Sequence, residues 1–231
     1  VKYYIKRMKK SALITLIVAG IGLTAFKNSN MHGASDMNYE KKVENAIGTQ
    51  INYDVNVEKS SFGWHAKKVT GEHFGTAKIL KGAIYRNKGM FNGGEFEIDM
   101  TSIADTDITK AEFRAKLDGH LKSESFFDVA KFPTASFKIK MWAPIKDAKP
   151  GEVNYYVKGD ITIKGITKEI TFPALVNLDT NSKTVTASAE FNIDRTDFGI
   201  KYNSAKFDPG IGDKMVYDEF NVKINLVATA K

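Results

Sequence analysis

From Ile51 onward the chain alternates apolar and polar residues with a period of two, run after run. Successive side chains of a strand point to opposite faces, so this period describes strands with one dry and one wet side. Ile51, Tyr53, Val55 and Val57 alternate with polar neighbours, and Phe62 and Trp64 continue the series. Phe96, Ile98 and Met100 alternate with Glu95, Glu97 and Asp99, and Phe137, Ile139 and Met141 with Lys138 and Lys140. Similar runs occupy 153–163, 170–176, 185–193 and 220–228. One-sided burial in so many runs marks antiparallel sheets, because parallel ones are covered on both faces. Turn residues separate the runs at Asn92-Gly93-Gly94, Lys149-Pro150-Gly151, Asp179-Thr180-Asn181 and Asp208-Pro209-Gly210.

Residues 108–128 break the pattern. They carry helix formers, and the spacing predicts a helix interrupted near Gly119. The expected architecture is all-β: a closed antiparallel barrel or a sandwich of about eight strands with one inserted helical segment. No Pro- or Ser-rich linker divides 51–231, which therefore reads as one domain.

The net charge of +7 comes from the first residues. Lys2, Lys6, Arg7, Lys9, Lys10 and Lys27 precede any acid, and without residues 1–35 the balance is 28 basic to 27 acidic. No polybasic field is left on the domain, which argues against nucleic acid as a partner. The basic cluster leads into an apolar run from Ala12 to Phe26. That run is shorter than the ~20 residues of a comfortable membrane span, so residues 1–35 are expected to be a secretory signal peptide, with an N-terminal anchor as the alternative. Residues 36–50 are expected to be a linker or a short helix, with Tyr39, Val43 and Ile47 spaced four apart. An exported, periplasmic protein is the expectation, secreted or membrane-tethered if the leader is kept. The chain has no cysteine, which excludes disulfides, thiol chemistry and Cys-ligated zinc.

No catalytic constellation stands out. His65, His73 and His120 lack the paired spacing of a metal motif, so no metal or cofactor is expected. Glu95, Glu97 and Asp99 share a face opposite Phe96 and Ile98, where water solvates them. Asp194, Arg195 and Asp197 are expected to be an ion-paired cluster pinning a turn, and Gly210-Ile211-Gly212 has no following helix to receive a phosphate. The serines lack a nucleophile motif.

The dry face carries the functional expectation. Gly75, Ala77, Ala174, Ala187, Ala189 and Ala228 are small residues on an otherwise apolar lining. They leave room for a ligand, or they match large residues across a filled core; composition favours neither. An open apolar interior would bind a lipid-like molecule by removing its surface from water, at about 25 cal/mol per Å².

Several segments, in order, resemble the YceI-like family in the variety seen in Bacteroidetes-type bacteria. Leu117-Asp118-Gly119-His120-Leu121-Lys122-Ser123-Glu124-Ser125-Phe126-Phe127-Asp128-Val129, followed by Lys131-Phe132-Pro133-Thr134-Ala135-Ser136-Phe137, is similar to the family's HLKS-x-x-FFDV…FP-x-x-x-F stretch. Gly159-Asp160-Ile161-Thr162-Ile163-Lys164-Gly165-Ile166-Thr167-Lys168 resembles its G-x-L-T-I-x-G-x-T-K element, and Arg195-Thr196-Asp197-Phe198-Gly199-Ile200 its R-x-D-F-G-I element. Gly212-Asp213-Lys214 and Tyr217-Asp218-Glu219-Phe220 resemble its closing strand. The resemblance implies a lipocalin-like barrel that carries a polyisoprenoid or similar long-chain lipid without catalytic turnover, with transient membrane contact and a dimer both compatible. The lipid's tail is then expected along Phe62, Trp64, Phe96, Ile98, Phe137, Ile161, Ile163, Ala187, Ala189, Phe191 and Ile193, with Phe126 and Phe127 near a helical lid. An enzyme acting on such a lipid through a histidine, and an interaction module with a filled core, are the alternatives.

Overall fold

The computed structural model describes residues 50–230. The predicted leader over 1–35 and most of the 36–50 segment lie outside the described residues.

Nine strands in chain order build one antiparallel sheet: β1 (Ile51–Val55), β2 (Ser61–Lys68), β3 (Gly71–Asn87), β4 (Met90–Asp105), β5 (Thr134–Pro144), β6 (Tyr155–Ile163), β7 (Ile166–Asp179), β8 (Thr184–Asp194) and β9 (Val216–Ala230). Helix α1 (Ala111–Lys122) lies between β4 and β5. Each strand pairs with its neighbour around the ring β3-β2-β9-β8-β7-β6-β5-β4, and the β3–β4 pairing closes it. It is a barrel, and closure leaves those eight staves without a free edge.

β1 and β2 lie in one file. Both run antiparallel to β3 and to β9, β1 against one end and β2 against the other. Between them the chain steps out of the ladder. The Asn56 side chain accepts hydrogen bonds from the backbone N–H groups of Glu58 and Lys59, and the Ser60 hydroxyl oxygen accepts one from Val227 N. Val57 sits in this step and is exposed, so it does not extend the inward series as its spacing predicts.

The inward face otherwise follows the alternation, except that Ile51 and Val153 are exposed, Val153 because β6 begins only at Tyr155, and that two shifts and one displaced turn interrupt it. Lys140 is an extra residue between the Ile139 and Met141 pairs, so the strand bulges there. Trp142, not Met141, takes the next inward place, and Met141 is 48% exposed. A second irregularity in β4 brings Ile103 inside in addition to Met100, while Asp99 accepts hydrogen bonds from the N–H and hydroxyl of Thr101. Asn92-Gly93-Gly94, predicted as a turn, lies within β4; the reversal occurs at Lys88-Gly89, both at positive φ. Gly94 instead permits close packing, for an added Cβ would meet the Ala83 carbonyl at 2.8 Å and Ile139 Cδ1 at 3.1 Å.

One end of the barrel is plugged by Phe91, Trp142 and Tyr155, whose rings meet at 5.3–5.9 Å. The Trp142 indole N–H donates to the Gly93 carbonyl at 3.0 Å, which satisfies its one polar group. At the other end stand α1, the turn that follows it and the loop after β8. Helix α1 runs through Gly119 without a break, since nothing crowds that position and a lone Gly costs a solvent-facing helix only about 1 kcal/mol.

Candidate functional site: an apolar cavity and its vestibule

All eight staves contribute to a cavity of about 140 Å³ inside the barrel. Its wall receives Phe62 and Trp64 from β2, Phe96 and Ile98 from β4, Phe137 from β5 and Ile161 and Ile163 from β6. β8 adds Ala187, Ala189, Phe191 and Ile193, and the turn after α1 adds Phe126 and Phe127. The structure thus brings every residue of the expected tail path to one wall.

The small residues divide into two kinds. Ala77, Ala174, Ala187 and Ala189 border the open space. Gly75 does not, because the Trp64 ring occupies the space beside it; an added Cβ would collide with that ring and with the Ala104 carbonyl. Gly159 is filled likewise by the Phe137 ring. Ala228 is fully buried away from the cavity. Large residues therefore match small ones at some positions, as a filled core would have it, but the interior as a whole is not filled. Inside, Phe172 stacks on Phe191 with centroids 4.0 Å apart, and Phe137 leans on Phe172 at 5.5 Å. Such walls offer water almost no partners, so the space stays dry or takes an apolar guest.

Sequence reasoning missed several wall residues, among them Met100, Ile103, Leu121, Trp142 and Phe172. Phe172 belongs to a run whose alternation was legible. Ile103 and Trp142 follow strand irregularities, and no local signal shifts their face in advance.

Arg195 is the charged exception on the wall, which otherwise carries only Ser136, Ser188 and Tyr217 as polar residues. It is 2% exposed, at the end of β8, and opens a 3₁₀ turn, Arg195–Phe198. Its guanidinium donates to the carbonyls of Tyr217, Ile200 and Val216 at 2.9–3.1 Å and to Asp218 Oδ1 at 3.2 Å. Burial pulls its pKa below the usual arginine value, against the opposing pull of Asp218 and Asp194. The expected turn-pinning cluster is present, with the partners exchanged. Asp218, distant in sequence, pairs with Arg195, while Asp194 accepts from the Thr196 N–H and hydroxyl and from Lys206. Burial alone would raise the Asp194 carboxyl; Lys206 and Thr196 outweigh it and hold the group low.

A second space, more polar than the first, adjoins the cavity and shares Trp64, Ala66, Leu121, Phe126 and Val216 with it. This vestibule is walled further by Lys67, Lys68, Lys214, His73, His120 and Tyr202. His120 sits between the rings of Phe126 and Tyr202, at 5.6 and 4.3 Å, and its Nε2 has no hydrogen-bond partner. Burial pushes its imidazole below the ordinary value. His65 lies elsewhere, stacked on Phe74 at 4.2 Å and paired with Glu72 at 2.9 Å. Among the described residues no histidine borders the cavity itself.

The segments that carried the family resemblance converge on this end of the barrel. Lys164, in the β6–β7 turn, donates to the Glu124 carbonyl in the turn after α1, and Arg195 reaches the start of β9. The family model for the YceI-like domain matches residues 53–228. The chain belongs to that family. Curated relatives agree over a shorter stretch: a UPF0312 protein of Pseudomonas fluorescens is 38% identical over 91 residues, which cover 38% of this chain and 45% of that protein. A UPF0312 protein of Vibrio parahaemolyticus is 35% identical over 96 residues, 38% of this chain and 48% of its own length. The chain thus spans a little under half the length of the curated relatives it matches. Among solved structures, BcnA of Burkholderia cenocepacia superposes with a TM-score of 0.59 at 23% identity, covering 76% of this chain and 99% of that one. A polyisoprenoid binding domain from Saccharophagus degradans, implicated in plant cell wall breakdown, gives 0.54 at 13% identity, covering 78% and 98%. At such identities these two establish the shared fold of the YceI-like barrel.

Proposed function

We propose that this YceI-like protein is an exported carrier that holds a polyisoprenoid or similar long-chain amphiphile, its tail in the barrel and its polar head in the vestibule. The observation that carries the reading is the junction of two unlike spaces: an apolar cavity walled by all eight staves, and a more polar vestibule, with three lysines against the one carboxylate of Asp213, that shares five residues with it. An amphiphile needs that junction. Its tail gains about 25 cal/mol for every Å² removed from water, and its head keeps polar company. Lys67, Lys68 and Lys214 favour an anionic or strongly polar head group. A solved neighbour of the same fold is a polyisoprenoid binding domain, which supports the class of tail.

Binding, not turnover, is the role that this arrangement serves. The cavity wall carries no nucleophile paired with a base, and Arg195 is engaged by three carbonyls and a carboxylate. Export is supported by the basic, then apolar opening of the chain.

The test is mass spectrometry of an organic extract of the protein purified from the exported fraction. A stoichiometric long-chain lipid is expected, with an isoprenoid ladder in its fragmentation. An empty extract, followed by failure to load isoprenyl phosphates or isoprenyl alcohols in vitro, would overturn the reading. Recovery of the protein only with the cytoplasmic fraction would remove the export part alone.

A further inference from the structure

Outside the cavity, the fold assembles a second group of side chains that no sequence spacing announced. His73 lies near the start of β3, Asp105 ends β4, and Asp107 sits in the link to α1. His73 Nδ1 is 3.7 Å from Asp105 Oδ2 and 3.2 Å from Asp107 Oδ2, and all three ligand atoms lie within 4.8 Å of one another.

The two carboxylates are set for this meeting by backbone. Asp105 Oδ1 accepts from Ile108 N at 2.8 Å, and Asp107 Oδ1 accepts from Phe74 N at 2.7 Å. In each case one oxygen is held by an amide and the other is turned toward His73. Asp105 is 3% exposed, yet its Oδ2 has no hydrogen-bond partner. A buried carboxylate oxygen left so costs free energy unless a proton shared with Asp107, toward which burial and the Asp107 charge push the Asp105 carboxyl, or a cation occupies the place beside it. No lysine or arginine among the described residues forms an ion pair with either carboxylate. The frame is also rigid. Asp105 N donates to Asp118 Oδ1 on α1 at 2.7 Å, and Thr106 N donates to the Phe74 carbonyl at 2.9 Å.

From this geometry we infer that His73, Asp105 and Asp107 form a binding site for a divalent transition cation, with zinc the best match. One imidazole and two carboxylates are a donor set for borderline metals, and separations near 3–4 Å between donors fit metal bonds of about 2.0–2.2 Å. The amide N–H groups on the outer carboxylate oxygens are the supporting hydrogen bonds that orient metal ligands. Three protein ligands leave a coordination position for water or another donor. Bound there, the ion joins β3, the end of β4 and the approach to α1 beside the vestibule, on whose wall His73 also lies.

The test is zinc titration of the whole, chelator-stripped protein by calorimetry, together with anomalous diffraction from crystals grown with zinc. One saturable site per chain is expected, with the anomalous peak between the three side chains. His73→Ala and Asp107→Asn, both at partly exposed positions, should each weaken binding at least about tenfold. Glu169→Gln removes the exposed Glu169 pairs with Lys140 and Lys158, on strands outside the site, and should change nothing. Absence of saturable binding, a peak elsewhere, or equal affinity in the His73→Ala variant would overturn the assignment. The outcome is independent of whether lipid occupies the cavity.

Discussion

Replacing Ala189 with tryptophan places an indole into the middle of the cavity. Ala189 pairs with Ala174 on β7 and Ile224 on β9, and the two alanines border open space. A buried aromatic side chain covers about 150–250 Å². At 25 cal/mol per Å² the displaced length of tail forfeits about 4–6 kcal/mol of apolar burial. Part of that loss is recovered if the tail bends aside. Even 2.8 kcal/mol is about a hundredfold in affinity, so binding should weaken by at least about that factor. Because the indole enters existing space, folding stability should change by no more than the about 1–3 kcal/mol of ordinary overpacking. The assay is lipid recovered per mole of purified variant, with affinity measured by displacement of a fluorescent isoprenoid analogue. Thr186→Trp, on the exposed face of the same strand, adds the same bulk outside and serves as the control. A folded Ala189→Trp protein with undiminished lipid would refute the placement of the tail.

Three further outcomes follow from the surroundings of the cavity. Arg195→Met leaves three backbone carbonyls and Asp218 without their donor, and urea unfolding should show a loss of about 3–5 kcal/mol, the cost of breaking a buried pair; a loss under 1 kcal/mol would show the network to be dispensable. Gly75→Ala forces a Cβ against the Trp64 ring and a backbone carbonyl, and should destabilise by about 1–3 kcal/mol while shifting Trp64 fluorescence. An unshifted spectrum would contradict that packing. In the folded chain the His120 imidazole is held below the ordinary histidine value of about 6.5, because burial disfavours the cation. Its protonation therefore favours the unfolded chain: stability is intact above pH 6.5 and falls as the pH drops toward the depressed folded value. His120→Phe, which suits the ring sandwich of Phe126 and Tyr202, should flatten that limb in acid unfolding curves measured from pH 7 to 5, and an unchanged slope would exclude His120 as its source.

How much of this was legible in sequence depends on the range of the physical signal. A period of two is a local property of the chain, written by which side of each strand meets water. It placed the inward faces of β2, β4, β6 and β8, and with them Phe62, Phe96, Ile161 and Ala189 on the cavity wall. The change of pattern after residue 107 announced α1, though Gly119 does not break the helix because its surroundings are open. Asn92-Gly93-Gly94 misled as a turn because glycine serves two purposes. There it lets Ile139 and the next backbone approach, a need set by a strand nearly fifty residues away.

What the tertiary structure alone decided are the relations between distant positions. Barrel or sandwich turned on the β3–β4 closure, and the single stave made from β1 and β2 turned on their shared neighbours β3 and β9. The bulge at Lys140 exchanged Met141 for Trp142 as the base of the cavity, since one extra residue inverts every side chain beyond it. Asp218 displaced the sequence-adjacent acids as the partner of Arg195. His73, Asp105 and Asp107 share no recognisable spacing and meet because β3 and β4 are antiparallel neighbours with the link to α1 folded back upon them. Alternation determines which face of a strand is dry; ring closure and cross-strand register determine what that face encloses, and those depend on contacts no local window contains.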